Sequence, residues 1–333
     1  MTAALVAPRG LIEATEPAEY RGIARDAVRL LVTDRASRTH AHARFFELPS
    51  FLRAGDLLVV NDSATVPAAI VATRANGQQI PLHVATMIDQ QLWTAEPRGL
   101  VVVGEELRLP NGGSAVPIAP IDPDRPRLWY VRFELPVPMQ QYLAQAGEPI
   151  RYGYVTKRIP LSEYQTIFAR EPGSAEMPSA ARPFTSRVLA ALRRRGVGNA
   201  TITLHCGVSS FESPERPSFE RFAVPYETVE AIDRARQRGR RVIAVGTTVL
   251  RALESAVRND RVVAASGWTD LVIDEAYTVR SVDGMLTGFH DPAATHRWML
   301  QSLLDRELLD AAYDAAAERN YHYHEFGDAH LIV

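Results

Sequence analysis

The clearest pattern in the chain is a short apolar run that ends at a glycine and continues into a helical repeat. Residues 242–245 are all apolar and mostly β-branched, which predicts a strand covered on both faces of a parallel sheet. Gly246 allows a sharp turn, and apolar residues recur at helical spacing over 249–257, so a helix should begin with Thr247 or Thr248 as its cap. Open α/β sheets bind ligands at the carboxyl ends of their strands, so this junction is a candidate ligand site; an ordinary βα unit is the alternative.

Residues 63–149 have a different pattern from the rest of the chain. There, short segments of alternating apolar and polar residues are separated by Gly and Pro clusters, which is typical of a small antiparallel β-barrel. On either side of this segment, strand patterns alternate with helix patterns, which indicates an α/β fold with a mixed or parallel sheet. We therefore predict an α/β domain formed by residues 1–62 and 150–333, interrupted by an inserted barrel domain.

The apolar periodicity also predicts individual elements of the α/β domain. Strands are expected at residues 28–32, 55–60, 201–206, 271–273 and 276–279, and helices at residues 186–195, 226–238, 294–304 and 308–319. The strand at 55–60 runs directly into Asn61 and Asp62, which makes a second strand-to-loop junction of the kind that places polar groups at a sheet edge.

The composition is that of a soluble globular protein, with 46% hydrophobic and 23% charged residues among 333. No apolar run is long enough to span a bilayer, and the first residues lack the basic start and apolar core of a signal peptide. A single cysteine, Cys206, excludes an intramolecular disulfide and suits a reducing compartment. We therefore expect a cytoplasmic protein without a membrane partner, and a monomer.

The charge distribution gives little general attraction to nucleic acid, because the net charge is −2. Positive charge is almost entirely arginine, with Lys157 as the only lysine, and it is densest at residues 193–195 and 234–241. Arginine suits phosphate because its planar fork donates two hydrogen bonds, but such runs are also common at solvated helix ends. We expect any tRNA binding to be weak and to depend on these two clusters.

Several motifs, taken in order and spacing, resemble one known family over nearly the whole chain. They are Gly55 to Asn61, Glu163 to Thr166, Pro178 with Phe184, Thr203 to His205 with Gly207 and Phe211, Val242 to Thr248 with Arg251, Glu254 and Ser255, Phe289 and His290 with Pro292 and Thr295, and Gly327 to Ala329. On these residues the chain is similar to the S-adenosylmethionine:tRNA ribosyltransferase-isomerase family of queuosine biosynthesis.

The resemblance implies a fold and an activity. The expected fold is an α/β domain interrupted by a small β-barrel. S-adenosylmethionine is the expected donor of a ribosyl unit, which is transferred to a 7-aminomethyl-7-deazaguanine base of tRNA with loss of adenine and methionine. It implies no metal and no redox cofactor.

The chain departs from the family pattern within the loops. The family's two arginines after the Asn-Asp pair are replaced by Ala64 and Ala69, and the segment 178–184 lacks the family's histidine. Further departures fall in 205–211, in Pro217-Ser218, and around Phe289-His290. Two alternatives therefore stay open: a paralogue that uses S-adenosylmethionine with a small-molecule acceptor or cleaves it, and a nucleotide- or RNA-binding homologue without catalysis.

The implied chemistry needs a base, because the sulfonium acidifies the adjacent C5′ protons and removal of one would open the ribose for attack by the acceptor amine. His290 and His205 are the candidates that could act near neutral pH, with structural histidines as the alternative. Glu254 is the third catalytic candidate. It lies three residues after Arg251, so an intrahelical ion pair is the alternative for both.

The remaining candidates are substrate-binding residues. Aromatic rings can stabilise a sulfonium by roughly 0.5 to 2 kcal/mol, although such rings are more often plain core. The predicted set is Asn61, Tyr164, Gln165, Phe211, Gly246, Thr247, Thr248, Arg251 and Phe289.

Two other patterns could indicate a metal site or a nucleophile. His322 with His324, and His40 with His42, have the i, i+2 spacing that places imidazoles on one face of a strand, but no cysteine partner is available for zinc and we predict no metal site. Cys206 follows His205 directly, and adjacent strand residues point to opposite faces, so we interpret this cysteine as packing rather than as a nucleophile.

Overall fold

The computed structural model describes residues 10–208, 217–290 and 295–333. In chain order, the strands within these residues are β1 (Ile12–Glu13), β2 (Arg29–Asp34), β3 (Thr39–Arg44), β4 (Leu57–Asn61), β5 (Ser63–Thr65), β6 (Ala69–Thr73), β7 (Gln79–Met87), β8 (Leu92–Pro97), β9 (Leu107–Arg108), β10 (Ser114–Pro120), β11 (Trp129–Glu134), β12 (Glu171–Ser174), β13 (Gly198–Leu204), β14 (Glu220–Val224), β15 (Val242–Val245), β16 (Val257–Arg258), β17 (Arg261–Val262), β18 (Ala265–Thr269), β19 (Gly284–Gly288), β20 (His322–Tyr323) and β21 (Ala329–Ile332). The α-helices are α1 (Leu48–Phe51), α2 (Met139–Ala146), α3 (Ser186–Arg194), α4 (Tyr226–Gln237), α5 (Thr247–Ser255), α6 (Thr295–Gln301) and α7 (Arg306–Glu318).

The described residues form a mixed nine-stranded sheet in the order β18-β14-β13-β4-β15-β19-β21-β2-β3. The four central strands β13, β4, β15 and β19 are parallel to one another. Strand β21 is antiparallel to β19, and β2 runs parallel to β21. The carboxyl ends of the central strands therefore lie at the same edge of the sheet as the amino ends of β21 and β2. The predicted α/β class with a mixed sheet is confirmed.

The apolar run in β15 joins the two cores that cover the sheet. Val242 and Ala244 belong to one buried cluster, whereas Ile243 and Val245 belong to the cluster on the opposite face. All four side chains are buried. Because alternate side chains of a strand point to opposite faces, only a continuous apolar run can serve both cores.

Between β5 and β12, six strands close into a barrel in the order β10-β11-β8-β7-β6-β9. Its antiparallel strands enclose a separate core that includes Leu82, Val131 and Phe133. Helix α2 packs Tyr142 and Leu143 into the same core. The predicted barrel is confirmed as a structural unit, while the boundaries at residues 63 and 149 stay a prediction.

Two expectations about the α/β part are wrong. The described residues 271–273 and 276–279 form no strand. Instead, the Leu271 carbonyl accepts a hydrogen bond from Arg251 of α5, and the backbone N–H groups of Arg280 and Ser281, just after these residues, donate to Glu254 of α5. Neither Thr247 nor Thr248 caps α5, because Gly246 occupies the cap position and no side chain accepts a hydrogen bond there. None of the helices in the described ranges is long and apolar enough to cross a bilayer.

Candidate functional site

A cavity of about 190 Å³ lies at the edge of the sheet where β15 and β19 end. The turn into α5 and the residues after β19 form one wall, and the segment after β20 forms another. The predicted site residues that line it are Tyr164, Gly246, Thr247, Thr248, Arg251, Phe289 and His290. The structure therefore brings together residues from four distant parts of the chain.

The turn at Gly246 determines the shape of the first wall. Its backbone has φ 98 and ψ 153, a conformation that is essentially restricted to glycine. A Cβ at this position would also lie 3.4 Å from the Cβ of Ala180. The first N–H groups of a helix have no partner within the helix, so the start of α5 offers donors beside the cavity.

His290 is the imidazole that the structure places on the cavity wall. Its Nε2 lies 3.0 Å from the Thr287 hydroxyl, and its backbone N–H donates to the hydroxyl of Tyr313 at 3.2 Å. Its ring stacks on His296 with 4.8 Å between centroids. Burial and the neighbouring histidines hold the pKa of His290 well below its ordinary value, so the ring is neutral at physiological pH. A neutral imidazole can accept a proton.

His296 also lines the cavity, and sequence reasoning did not identify it. Burial, with a smaller effect of Arg251, lowers its pKa to about 4. The two stacked rings are therefore both uncharged near neutral pH. The sequence signal that could have found His296 is its position six residues after His290, across a proline and into a helix.

Glu325 is the second wall residue that sequence reasoning missed. The Tyr154 hydroxyl donates to its Oε2 at 2.6 Å, while Oε1 is buried and has no hydrogen-bond partner among the described residues. Burial raises the pKa of this carboxyl to about 7. The hydroxyl of Tyr164, another wall residue, is likewise buried without a partner within the described chain. From the sequence, the segment 322–325 suggests only a metal site.

His324, next to Glu325, is held by rings and by one carboxylate. Its ring stacks on Tyr154 with 4.2 Å between centroids, and its Nε2 lies 3.3 Å from Glu13 Oε1. Burial lowers its pKa to about 4. The residue has φ 72 and so does not continue the strand of His322, which is why the expected i, i+2 arrangement on one strand face is wrong.

Arg251 and Glu254 do not pair with each other. Arg251 donates to Glu220 at 2.6 Å and to three backbone carbonyls, and Glu220 in turn accepts the N–H of Gly207. Glu254 is buried and accepts hydrogen bonds from Tyr277, Arg280 and Ser281. The alternative of an intrahelical ion pair is wrong because both side chains bond to the loop after β18. Glu254 does not line the cavity, and its catalytic role stays a prediction.

Three further predicted residues lie behind the cavity wall. His205 Nδ1 lies 2.8 Å from the Ser63 hydroxyl, and burial together with Arg221 lowers its pKa. Asn61 is fully buried and bridges β4 to β13 through the backbone of Leu204. Gln165 exchanges hydrogen bonds with the backbone of Thr65, which does line the cavity. These contacts position the wall, and the predicted roles of these residues toward substrate remain predictions.

The predicted aromatic residues Phe289 and Phe211 have different outcomes. Phe289 borders the cavity but is only 1% exposed, and it packs against Tyr313, Tyr321 and His330. Phe211 lies outside the described residues. Tyr164 is thus the predicted aromatic residue with a polar group left for a ligand.

Cys206 is buried and carries a free thiol whose pKa is raised by burial, in agreement with its interpretation as packing. In the described ranges, no group of three or more His, Cys, Asp or Glu side chains is arranged to hold a metal ion. His40 and His42 instead contact the hydroxyls of Thr33 and Tyr321 at 3.0 Å each.

A family model described as Queuosine biosynthesis protein matches residues 8–332. The chain belongs to this family. Among known members of the queuosine biosynthesis family, S-adenosylmethionine:tRNA ribosyltransferase-isomerase of Thermus thermophilus is 37% identical over 326 residues, which cover 93% of each protein. The protein of the same name from Gloeobacter violaceus is 35% identical over 331 residues, covering 96% of this chain and 92% of that protein.

The queuosine biosynthesis family also includes a similar solved structure. The crystal structure of S-adenosylmethionine tRNA ribosyltransferase from Thermotoga maritima matches with a TM-score of 0.56 and 29% sequence identity. The match covers 98% of both chains, so it includes both the sheet and the barrel.

Proposed function

We propose that this protein is a transferase that uses S-adenosylmethionine as ribosyl donor. It transfers and isomerises the ribosyl unit onto a 7-aminomethyl-7-deazaguanine base of tRNA, forming epoxyqueuosine and releasing adenine and methionine. The observation that carries the proposal is the similarity over nearly the whole chain to proteins of this name, at 37% identity in one case. The cavity at the carboxyl ends of β15 and β19 supports it, because open α/β sheets bind their ligands there.

The start of α5 is the proposed donor-binding turn. Gly246 lets a ligand approach the backbone, and the first N–H groups of the helix suit the carboxylate of the methionine moiety. The side chains of Thr247 and Thr248 line the same wall and provide hydroxyls for the ribose.

His290 is the proposed base. Its neutral ring lies in the cavity, and Thr287 fixes its orientation through Nε2. Proton removal from C5′ needs an uncharged base, and the lowered pKa of His290 keeps the ring uncharged but also makes it a weaker base than an ordinary imidazole.

Glu325 is the proposed anionic partner of the donor's positive charge. S-adenosylmethionine carries a sulfonium and an ammonium, and both are more favourable in a buried site that supplies a carboxylate. With a pKa of about 7, Glu325 is partly protonated near neutral pH, so arrival of a cation should release a proton.

Family membership over the whole length favours this reading over a small-molecule acceptor, simple cleavage of S-adenosylmethionine, or a binding protein without catalysis. We further propose that the protein acts in the cytoplasm, without a metal ion, and as a monomer. A chelator should leave the rate unchanged, and light scattering should give the mass of one chain.

The test is adenine release from S-adenosylmethionine, measured by chromatography under three conditions: without RNA, with tRNA that carries the aminomethyl base, and with the same tRNA carrying guanine. Release only with the aminomethyl base is expected. Release without RNA would instead support cleavage or a small-molecule acceptor. Binding of S-adenosylmethionine with no release under any condition would support the non-catalytic alternative.

A further inference from the structure

A second concave site lies on the same edge of the sheet as the cavity. It has a volume of about 390 Å³, and we call it the arginine pocket. Three arginines line it together with one carboxylate, one histidine, one tyrosine and one alanine. Its residues are Arg29, His42, Ala43, Arg44, Glu47, Arg319 and Tyr321.

The three guanidinium groups of the arginine pocket lack carboxylate partners. Within the parts of the chain that the structure describes, Arg29, Arg44 and Arg319 form no ion pair. Arg29 lies over the Tyr321 ring at 5.5 Å, and its Nη1 is buried without a hydrogen-bond partner. A buried guanidinium nitrogen without a partner is costly, so it is a position where an anionic ligand gains most.

The carboxylates near the pocket are already engaged. Glu47 accepts the backbone N–H of Arg44 at 2.7 Å, and Asp328 accepts the backbone N–H of Arg29 at 2.7 Å. Burial lowers the pKa of His42, and the charges of Arg319, His40 and Arg29 lower it further against a smaller opposite effect of Glu318.

The pairing register connects the pocket to the cavity. Gly288, on the cavity wall, pairs with Ala329; Ala329 pairs with Leu30, and Leu30 with Ala43 in the pocket. Neighbouring strands are about 4.8 Å apart, so three spacings separate the two sites by about 14 Å. Both sites therefore lie at one edge of the sheet.

The arginine clusters predicted from the sequence lie at the opposite edge. Residues 193–195 end α3 just before β13 begins, and residues 234–241 lead from α4 into β15. Arg195 donates to the carbonyl of Leu52, close to the start of β4. Both clusters are therefore separated from the cavity by the full length of the central strands.

We infer that the arginine pocket binds a backbone phosphate of the RNA whose modified base enters the cavity. The inference rests on the proposed function for its RNA. Arginine forks bind phosphate through two parallel hydrogen bonds, and an enzyme that acts on a base must hold the nucleotide outside the stack by contacts to its backbone. The pocket supplies such contacts at a site that the net charge of −2 does not predict.

The experiment compares two double variants by fluorescence anisotropy with a labelled tRNA transcript over a salt series. R44A/R319A removes two exposed arginines of the pocket, and R193A/R194A removes two exposed arginines at the opposite edge. The charge change is the same in both. R44A/R319A should weaken binding about tenfold and reduce the salt slope by about one, as expected for loss of one phosphate contact. R193A/R194A should match the wild-type protein, and thermal melting should show that both variants are folded.

Other outcomes would overturn the inference. If both double variants weaken tRNA binding equally, the effect comes from overall charge. If R193A/R194A alone weakens tRNA binding, the RNA binds at the opposite edge of the sheet. If inorganic phosphate binds in calorimetry while R44A/R319A keeps wild-type tRNA affinity, the pocket takes a small anion and not RNA. In all three cases tRNA-dependent adenine release by the wild-type protein would keep the proposed function. A wild-type protein that neither binds tRNA nor releases adenine with it would contradict both proposals.

Discussion

The two edges of the nine-stranded sheet treat buried carboxylates in opposite ways. At the amino ends of the central strands, Asp56 is 1% exposed and accepts hydrogen bonds from Arg53 and Arg241. Burial raises its pKa, but the bonds and charge of Arg241 outweigh this and bring the pKa below its ordinary value. At the other edge, Glu325 has one donor among the described residues, Tyr154, and burial raises its pKa to about 7.

This difference distinguishes charged groups that stabilise the fold from charged groups that can still bind a ligand. A buried ion pair whose hydrogen bonds are all made holds its elements together and has no hydrogen-bonding group left for a ligand. Buried polar atoms without partners are costly, so each one needs an explanation such as a ligand, an ion or an ordered water. Among such atoms in the described part of the chain, Glu325 Oε1, the Tyr164 hydroxyl and Arg29 Nη1 belong to the cavity or the arginine pocket, whereas others, such as Trp93 Nε1, lie elsewhere.

The largest effect is expected when the proposed base, His290, is removed from the edge where the central strands have their carboxyl ends. His290→Ala should lower the rate of adenine release by about 10²- to 10⁴-fold, the range for removal of a general base, with a small change in donor affinity. Turnover at saturating S-adenosylmethionine and donor affinity by calorimetry separate the two effects. R193A/R194A, at the amino edge, is the control and should keep wild-type turnover. Normal turnover at saturation with lost affinity would make His290 a binding residue.

The next test is directed at stability and should affect the two edges unequally. Asp56→Asn leaves Arg241 beside a neutral group, and breaking a buried pair should lower the free energy of unfolding by about 3 kcal/mol. At pH 5, where the folded Glu325 is mostly protonated, Glu325→Gln keeps the contact with Tyr154 and replaces one neutral group by another, so its change should stay within about 0.5 kcal/mol. Urea unfolding measures both. Equal losses would show that Glu325 is as structural as Asp56.

The third test concerns the backbone of the donor-binding turn. Gly246→Ala forces a Cβ into φ 98 and ψ 153, which should lower the free energy of unfolding by about 1 to 3 kcal/mol. Gly153→Ala is the matched control, because a Cβ there meets no atom within 4 Å and the residue does not have a positive φ. Urea unfolding again gives the values. If Gly246→Ala and Gly153→Ala have similar free energies of unfolding, the turn does not require glycine.

Sequence patterns predicted those parts of the molecule that local residues determine. Residues 242–245 alternate between two cores, so their continuous apolar character predicts a buried parallel strand, and Gly246 predicts the turn that follows. Where strands were expected at 271–273 and 276–279, side chains of α5 instead bond to the Leu271 carbonyl and to the backbone N–H of Ser281 just beyond. The apolar periodicity of a segment carries no information about side chains elsewhere in the chain that bond to its backbone.

The site was less predictable because folding assembles it from distant segments. Glu325 and Tyr154 are 171 residues apart, and the arginine pocket joins β2 and β3 to the end of α7. No local pattern marks Arg29 or Arg319 as members of one cluster. His290 could be predicted because it follows an apolar strand within a family motif, whereas His296 lies outside that motif.

The last expected effect is the pH dependence that Glu325 adds to stability. Its pKa in the folded protein is about 7, above the ordinary value of 4.5, so between these values the folded carboxyl binds a proton that the unfolded one has lost. Its stabilising contribution is therefore complete below about pH 4.5 and is lost as the pH rises through 7. The slope cannot exceed about 1.4 kcal/mol per pH unit, and contact with cavity water should reduce it.

Urea unfolding of the wild-type protein and of Glu325→Gln from pH 5 to 8 isolates this contribution, since the other titrating groups, including Asp56, are common to both. The free energy difference between the two proteins should shift steadily toward the variant from pH 5 to 7 and level off above it. A saturating donor should move this change to lower pH, because a bound cation favours the ionised carboxylate. A difference that stays constant across the range would mean that Glu325 is ionised throughout, and the contrast between the two edges would then depend on the arginine pocket and Tyr164 alone.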